Sequence, residues 1–243
     1  MNAQEKTIGQ LVAEDYRTAT IFKKHKIDFC CKGNRSIDEV CEEKKLNMNS
    51  LLEELTAVTN STNTGAIDFS KWDIDLLVDY IEKKHHRYVE RTIPELLQYL
   101  NKLEKVHGTQ HPELFEINKE FSECAGALTA HMKKEELILF PFIRNLVKAT
   151  ITHQHLNTPS FGTVGNPIHM MMLEHDVEGE RFRKIAQLTN NYTPPSDACG
   201  TYKVTFSLLK EFEDDLHTHI HLENNILFPK AIKTESLLKS SVL

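Results

Sequence analysis

The chain has 243 residues, of which 40% are hydrophobic and 26% are charged, a composition typical of folded globular proteins. Its formal net charge is −6, and no basic stretch is suited to phosphate contacts, which argues against a nucleic-acid partner. No segment approaches the roughly 18 uninterrupted apolar residues of a membrane-spanning helix. No apolar run follows the N-terminal MNAQEKTIGQ either. We therefore expect no membrane association and no secretory signal.

The first 60 residues contain short helical patterns and predict a small helical N-terminal module, residues 1–60. A polar break from Thr59 to Ser70 is the predicted linker. Beyond it, four long helical patterns predict a second domain over residues 70–238. Four antiparallel helices joined by turns predict an all-α fold, an antiparallel four-helix bundle. The predicted helices cover residues 71–106, 112–148, 167–188 and 196–232, with a loop at 149–165.

The cysteines do not form the pattern of a disulfide framework, because their number is odd and no Cys-x-x-Cys pair occurs. This usage favours a reducing compartment, so the predicted location is cytoplasmic. Three of the five, Cys41, Cys124 and Cys199, are expected to be packing residues. Only nine glycines in the chain disfavour a turn-rich β fold.

A motif occurs twice in the chain. The stretch HMKKEELILFP begins at His131, and HIHLENNILFP begins at His219, 88 positions later. Both have the form His-x-x-x-Glu-x-x-Ile-Leu-Phe-Pro, which suggests two duplicated helical hairpins. In each copy the histidine and glutamate fill gaps in an apolar helical stripe, so both are predicted to be buried. A buried ionised glutamate requires a cationic partner.

The other two long helices each carry one histidine on an apolar stripe, His86 and His175. The midpoint between His86 and His131 falls inside the predicted turn, and that between His175 and His219 falls just after two prolines, so the four histidines are expected at one level of the bundle. Six nitrogen and oxygen ligands are too many for one tetrahedral ion and suit a pair of metal ions. Imidazole and carboxylate without thiolate favour iron over manganese or zinc. The predicted ligands are His86, His131, Glu135, His175, His219 and Glu223.

The remaining nine histidines are not predicted ligands. Four are expected to face outward because they fall off the apolar stripes: His85, His169, His217 and His221. Four more are expected to be solvated: His25, His111, His153 and His155. His107 lies on the same helical stripe as His86. It is not a predicted ligand, because 21 residues at 1.5 Å each place it about 30 Å from His86.

These segments resemble known families. The bundle region resembles the hemerythrin-like (HHE cation-binding) domain, and the whole chain resembles the iron–sulfur cluster repair di-iron proteins of the RIC or ScdA type. The resemblance is carried by HMKKEELILFP, EHD, DDLHTHIHLENNILFP and NNYTPPSDAC, and by IDFCCKGNRSIDEVCEEK in the N-terminal module. The family's ligands correspond to the same six residues.

The resemblance implies two non-haem iron ions with an oxo or hydroxo bridge. It implies repair of iron–sulfur clusters damaged by nitrosative or oxidative stress, through iron donation, nitric oxide chemistry or both. The implied partners are damaged iron–sulfur proteins, nitric oxide or oxygen as small ligands, and a second copy in a homodimer. The resemblance fits a repair factor or iron donor better than a conventional turnover enzyme. Nitric oxide reductase activity is a further function that it allows.

Adjacent Cys30 and Cys31 lie near Lys32 and Arg35, and nearby cations lower the pKa of a thiol. The pair is therefore a candidate redox or metal-transfer site. The alternative is two small residues in a turn, and the resemblance favours the functional interpretation.

Two other functions compete with repair. An oxygen-binding carrier or sensor of the hemerythrin type usually has a fifth histidine near the site and no cysteine module. A structural bundle holding zinc or no metal, with pH-sensitive core histidines, leaves the two buried glutamates unexplained.

Overall fold

A computed structural model describes residues 6–61, 67–154 and 156–240. In these ranges the secondary structure is helical apart from an isolated β-bridge between Thr7 and Ser36, which confirms the all-α fold class. His155 and the first five residues of the predicted N-terminal module lie outside the described residues. Among the described helices, none combines the length and apolar composition that crossing a bilayer requires.

The described chain forms eleven α-helices, a 3₁₀ turn and three π-helical segments. The α-helices are α1 (Ile8–Glu14), α2 (Thr18–Lys24), α3 (Ile37–Lys44), α4 (Met48–Asn60), α5 (Ile74–Tyr80), α6 (Arg87–His107), α7 (Glu113–Lys134), α8 (Phe140–Thr152), α9 (Gly165–Leu188), α10 (Gly200–Leu222) and α11 (Phe228–Ser240). The 3₁₀ turn is Phe69–Lys71, and the π segments are Ile81–His86, Glu135–Leu139 and Glu223–Leu227.

These elements belong to two compact units that interleave along the sequence. The cysteine unit comprises residues 1–78, 146–157 and 218–243, and the bundle unit comprises residues 79–145 and 158–217. The boundary expected between residues 60 and 70 stays a prediction.

In the cysteine unit, two capping boxes fix the starts of α1 and α3. Thr7 exchanges hydrogen bonds with Gln10, and Ser36 does so with Glu39, which satisfies amides that a helix end leaves open. The loop before α3 runs alongside the start of α1, because the Gly9 N–H donates to the Gly33 carbonyl at 2.7 Å. The loop that contains both cysteines is therefore anchored at its C-terminal end.

In the bundle unit, one aromatic ring contacts three neighbouring helices. Phe212 of α10 lies 5.4 Å from Phe121 of α7, 5.7 Å from Phe182 of α9 and 6.1 Å from Tyr88, between ring centroids. Tyr88 belongs to α6, so α6, α7, α9 and the first part of α10 form a four-helix bundle, as the sequence predicts.

The apolar stripes predicted for the first two long helices are buried, but parts of the others are not. The stripes predicted for the other two helices include Val204 and Leu208 of α10 and Met172 of α9, but Val204 and Met172 are exposed and Leu208 is half-buried. α10 instead buries Tyr202 and Phe206. The sequence TYKVTFSLL contains two apolar helical faces, one with Val204 and Leu208 and one with Tyr202 and Phe206. Burying the aromatic face removes more apolar area from water.

The π segments after the repeated histidines have a local cause. In the first copy, the Phe140 N–H donates to the Glu135 carbonyl, five residues back. Pro141 follows at once, lacks an amide proton, and its ring would clash with the carbonyl four residues earlier. The helix widens here, and π turns of this kind are frequent at functional sites. The second copy repeats the arrangement, with the Phe228 N–H donating to the Glu223 carbonyl before Pro229.

Candidate metal centre

Four of the predicted ligands converge in the bundle unit, on a single carboxylate. The Oε2 atom of Glu135 lies 3.4 Å from Nε2 of His86 and 3.3 Å from Nε2 of His131. Nε2 of His175 lies 3.1 Å from Nε2 of His131. All four residues are at most 3% exposed. Donor atoms that share a metal ion at about 2.0–2.2 Å are themselves roughly 3–3.5 Å apart, so these residues fit a metal ion.

Two further glutamates orient the imidazoles. The Nδ1 atom of His86 donates to Glu136 at 3.0 Å, and that of His131 donates to Glu174 at 2.8 Å. Because an ionised carboxylate only accepts, each bond places the proton on Nδ1 and leaves Nε2 available to a metal. Histidine ligands of metals usually have such a carboxylate, carbonyl or water on the far side of the ring.

Both outer carboxylates are held ionised. Burial opposes ionisation of Glu136 and Glu174, but ion pairs outweigh it and lower the pKa of each carboxyl. Lys133 and His86 supply the hydrogen bonds to Glu136, and Lys134 pairs with Glu174. The sequence-based prediction missed both glutamates. The available signal was that each directly adjoins a predicted ligand in the sequence.

The other two predicted ligands, His219 and Glu223, are buried in the cysteine unit. Nε2 of His219 lies 3.1 Å from Oε1 of Glu223, and both side chains are at most 1% exposed. The histidine lies in the last turn of α10, and the glutamate begins a π segment. His131 and Glu135 occupy the same positions relative to α7 and its π segment, so the sequence repeat is also a structural repeat.

Two histidines expected to face outward are buried, so those predictions were wrong. His85 is 1% exposed, and its Nδ1 lies 3.0 Å from Asp215 within the bundle unit. It lies in the π segment Ile81–His86, where the 3.6-residue period used for the prediction does not hold. His221 is 0% exposed because the cysteine-bearing loop covers it, with the Phe29 ring 5.7 Å from the imidazole centroid.

The cysteine-bearing loop is organised by one carboxylate. Oδ1 of Asp28 accepts from the backbone N–H of Cys30 at 3.1 Å, of Cys31 at 2.9 Å and of Lys32 at 3.3 Å. The two Sγ atoms are 3.8 Å apart, and an Asp28 oxygen lies within 4.8 Å of both. Asp28, Cys30 and Cys31 thus form a second group whose donor atoms are close enough for a metal ion.

The thiol of Cys30 is less acidic than the sequence suggested. Its hydrogen bond with Cys31, its burial and the neighbouring Asp28 raise its pKa well above the ordinary value. The expectation that Lys32 and Arg35 lower this pKa was wrong for Cys30. The Arg35 guanidinium instead pairs with Glu43 and donates to backbone carbonyls.

The loop is attached to the helix that carries Glu223. The Asn225 side-chain amide donates to the carbonyls of Phe29 at 3.3 Å and Cys30 at 3.1 Å, and Asn224 donates to Cys30 at 3.4 Å. These asparagines directly follow Glu223. The sequence offered no means of finding this role, because the contacts join residues almost 200 positions apart.

We expect iodoacetamide at pH 8 to alkylate Cys30 at least tenfold more slowly than Cys199. A raised pKa lowers the thiolate fraction, burial limits access, and Cys199 is exposed. Timed quenching followed by tandem mass spectrometry of the peptides measures both rates. In urea the two cysteines should react alike, and equal rates in the native protein would contradict the prediction.

Two family models match successive parts of the sequence. Residues 77–231 match the hemerythrin HHE cation binding domain, and residues 4–59 match ScdA_N, a domain of unknown function (DUF542). Iron-sulfur cluster repair protein YtfE of Yersinia pestis (strain Pestoides F) is 32% identical over 235 residues, 97% of this chain and 100% of that protein. The protein of the same name from Yersinia pseudotuberculosis serotype O:1b (strain IP 31758) has the same identity and coverage.

These matches confirm the family resemblance carried by the repeated motif and by the cysteine-containing segment. They cover nearly the full length of the chain, and the His and Glu groups are of the kind that could hold a metal cation. The chain belongs to the hemerythrin HHE cation-binding family, and within it to the iron-sulfur cluster repair proteins that carry an ScdA-type N-terminal domain.

Proposed function

We propose that this protein repairs iron–sulfur clusters damaged by nitrosative or oxidative stress, using a His₄Glu₂ site for two non-haem iron ions. The observation that carries the proposal is the convergence of His86, His131 and His175 around Glu135, with carboxylates behind two of the rings. Relatives that align over almost the whole chain are named for iron-sulfur cluster repair.

The inclusion of His219 and Glu223 in the same site rests on the structural repeat. Each histidine–glutamate pair spans the junction of an α-helix and a π segment, and both pairs are buried. Two anionic carboxylates offset the charge of two metal ions, and burial excludes bulk water from the pairs. These residues would hold iron, which would supply open ligand positions for nitric oxide or oxygen and a source of iron for transfer.

We propose Cys30 and Cys31 as a redox or metal-transfer pair, with Asp28 as a third donor. The raised pKa of Cys30 keeps its thiol protonated at neutral pH. Metal binding there would have to release that proton, so the group suits transient rather than permanent occupation. The attachment of the loop to Asn224 and Asn225 supports a connection with the helix of Glu223.

A repair assay tests the function. A hydratase with a [4Fe–4S] cluster is inactivated with nitric oxide, freed of excess nitric oxide, and incubated with the iron-loaded protein and a reductant. We expect activity to return with wild-type protein and with His169→Ala, which alters an exposed histidine, and to fail with His131→Ala. Equal recovery with His131→Ala would refute the proposed site.

Metal analysis distinguishes the competing functions. Two irons per chain, measured after purification from iron-supplied cells, support the proposal. Reversible oxygen binding without recovery of the hydratase would indicate a carrier or sensor. Zinc, or no metal, would indicate a structural bundle.

A cytoplasmic location and a homodimer are parts of the same proposal. The α9 side chains of Met170, Leu173 and Val177 are 52%, 46% and 56% exposed and lie on one helical face. Exposed apolar patches of this kind mark protein interfaces. Sedimentation velocity should show a dimer for the wild type and a monomer for Leu173→Glu. A wild-type monomer at 100 μM would contradict the proposal.

A further inference from the structure

Another cluster of side chains of metal-binding types lies at the end of the bundle unit that carries the α6–α7 turn. Sγ of Cys199, in the approach to α10, is 3.4 Å from Nε2 of His107, the last residue of α6. Cys199 is exposed, so the expectation that it is a packing residue was wrong. His107 is 21 residues beyond His86, about 30 Å along the helix, so this group is remote from Glu135.

His111, in the α6–α7 turn, brings a second pair of donors to the same end. Its Nε2 lies 3.1 Å from Oδ2 of Asp197, and its Nδ1 lies 3.2 Å from Oε1 of Glu113. A carboxylate on the far ring nitrogen is the arrangement found behind metal-bound histidines. The same arrangement occurs at His86 and His131 in the candidate metal centre.

The two histidines are held next to each other by backbone and by an aromatic wall. The His111 N–H donates to the His107 carbonyl at 2.8 Å. The ring of Tyr202 is 5.6 Å from each imidazole, edge to face, and Tyr202 is 1% exposed. The imidazole rings are therefore backed by a buried side chain, while Cys199 and Asp197 come from a loop.

We propose that His107, His111, Asp197 and Cys199 bind one tetrahedral transition-metal ion, with zinc as the preferred divalent cation. Thiolate, imidazole and carboxylate together are a zinc donor set, whereas the His and Glu site contains no thiolate. This site is assigned independently of the proposed function.

The spacing of the donors within the Cys199–His107 pair fits a shared ion. Zinc–sulfur and zinc–nitrogen bonds of about 2.3 and 2.0 Å place the two donors about 3.5 Å apart in a tetrahedral site, close to the observed 3.4 Å. The imidazole centroids of His107 and His111 are 6.5 Å apart. Two imidazoles on one tetrahedral zinc ion have their centroids roughly 5 Å apart, so the two pairs must move closer together to share one ion. The exposed loop side chain of Asp197 and the exposed Cys199 can supply that movement.

Cobalt substitution tests the site on the full-length, iron-loaded protein. We expect the protein to bind one equivalent of Co²⁺ at this site. The bound ion should show a sulfur-to-cobalt charge-transfer band and tetrahedral ligand-field bands, and Zn²⁺ should displace it. Cys199→Ser should abolish the charge-transfer band, and His107→Ala or His111→Ala should weaken binding at least tenfold. The double variant Cys30→Ser/Cys31→Ser, which removes the other thiol group capable of binding, should retain the band.

A second measurement does not depend on variants. We expect one equivalent of Zn²⁺ to slow alkylation of Cys199 by iodoacetamide at least tenfold, read by mass spectrometry. Absence of a thiolate band, its persistence in Cys199→Ser, or an unchanged alkylation rate of Cys199 would each overturn the proposal. Iron content before and after cobalt addition shows separately whether the His and Glu site was disturbed.

Discussion

Replacing Glu135 by alanine is expected to lower bound iron from two ions per chain to at most one. In the bundle unit its Oε2 atom is the point on which the Nε2 atoms of His86 and His131 converge. Alanine removes the carboxylate from the group formed by Glu135 and the imidazoles of His86, His131 and His175. The three imidazoles would then face one another. The affinity loss should exceed the roughly 10–100-fold cost of losing an outer carboxylate. Iron assay after gel filtration, and competition with a chelator, measure stoichiometry and affinity.

The matched control is Glu136→Ala, one residue along the same π segment. Glu136 accepts a hydrogen bond from Nδ1 of His86, the ring nitrogen on the side away from Glu135. We expect this variant to bind iron about 10–100-fold more weakly but to reach two ions per chain when iron is in excess. Two tightly held irons in Glu135→Ala would show that Glu135 is not a ligand.

Replacing Gly33 by alanine is expected to destabilise the cysteine unit by about 1–3 kcal/mol. A Cβ at this position would lie 2.4 Å from the Phe29 carbonyl oxygen and 2.7 Å from Oδ1 of Asn225. The nearer atom is backbone of the same loop, so relief requires the loop between Phe29 and Gly33 to change its conformation. Urea unfolding measures the stability change, and faster alkylation of Cys30 should accompany it.

Gly126→Ala is the control for this substitution. Gly126 lies inside α7, is exposed, and a Cβ there would meet nothing within 4 Å. Alanine in the interior of a helix is favoured over glycine by about 0.5–1 kcal/mol, so this variant should be more stable than the wild type. If both alanine variants shifted stability in the same direction, the close packing of Gly33 would have no energetic role.

The part of the candidate site that could be predicted is the part that depends on local helix geometry. The spacing of His131 and Glu135, and of His219 and Glu223, places each pair on one face before any distant contact is known. The six residues selected this way are all buried. Their assignment as ligands of one site stays a proposal.

The part that could not be predicted depends on departures from that geometry or on distant contacts. The π segment Ile81–His86 turned His85 inward, against the 3.6-residue period. His221 is buried because residues almost 200 positions earlier in the chain cover it. Cys199 and His107 meet only through the fold, and no local pattern in either segment indicates the other.

The two copies of the repeated motif have diverged in a way that makes them no longer interchangeable. The position after the shared glutamate is Glu136 in the first copy, where a carboxylate accepts from an imidazole, and Asn224 in the second, where an amide donates to the Cys30 carbonyl. An ionised carboxylate cannot donate, so a glutamate at position 224 could not form the bond to the Cys30 carbonyl, and an amide at position 136 would not supply the negative charge. One copy of the motif therefore orients a histidine, and the other holds the thiol loop.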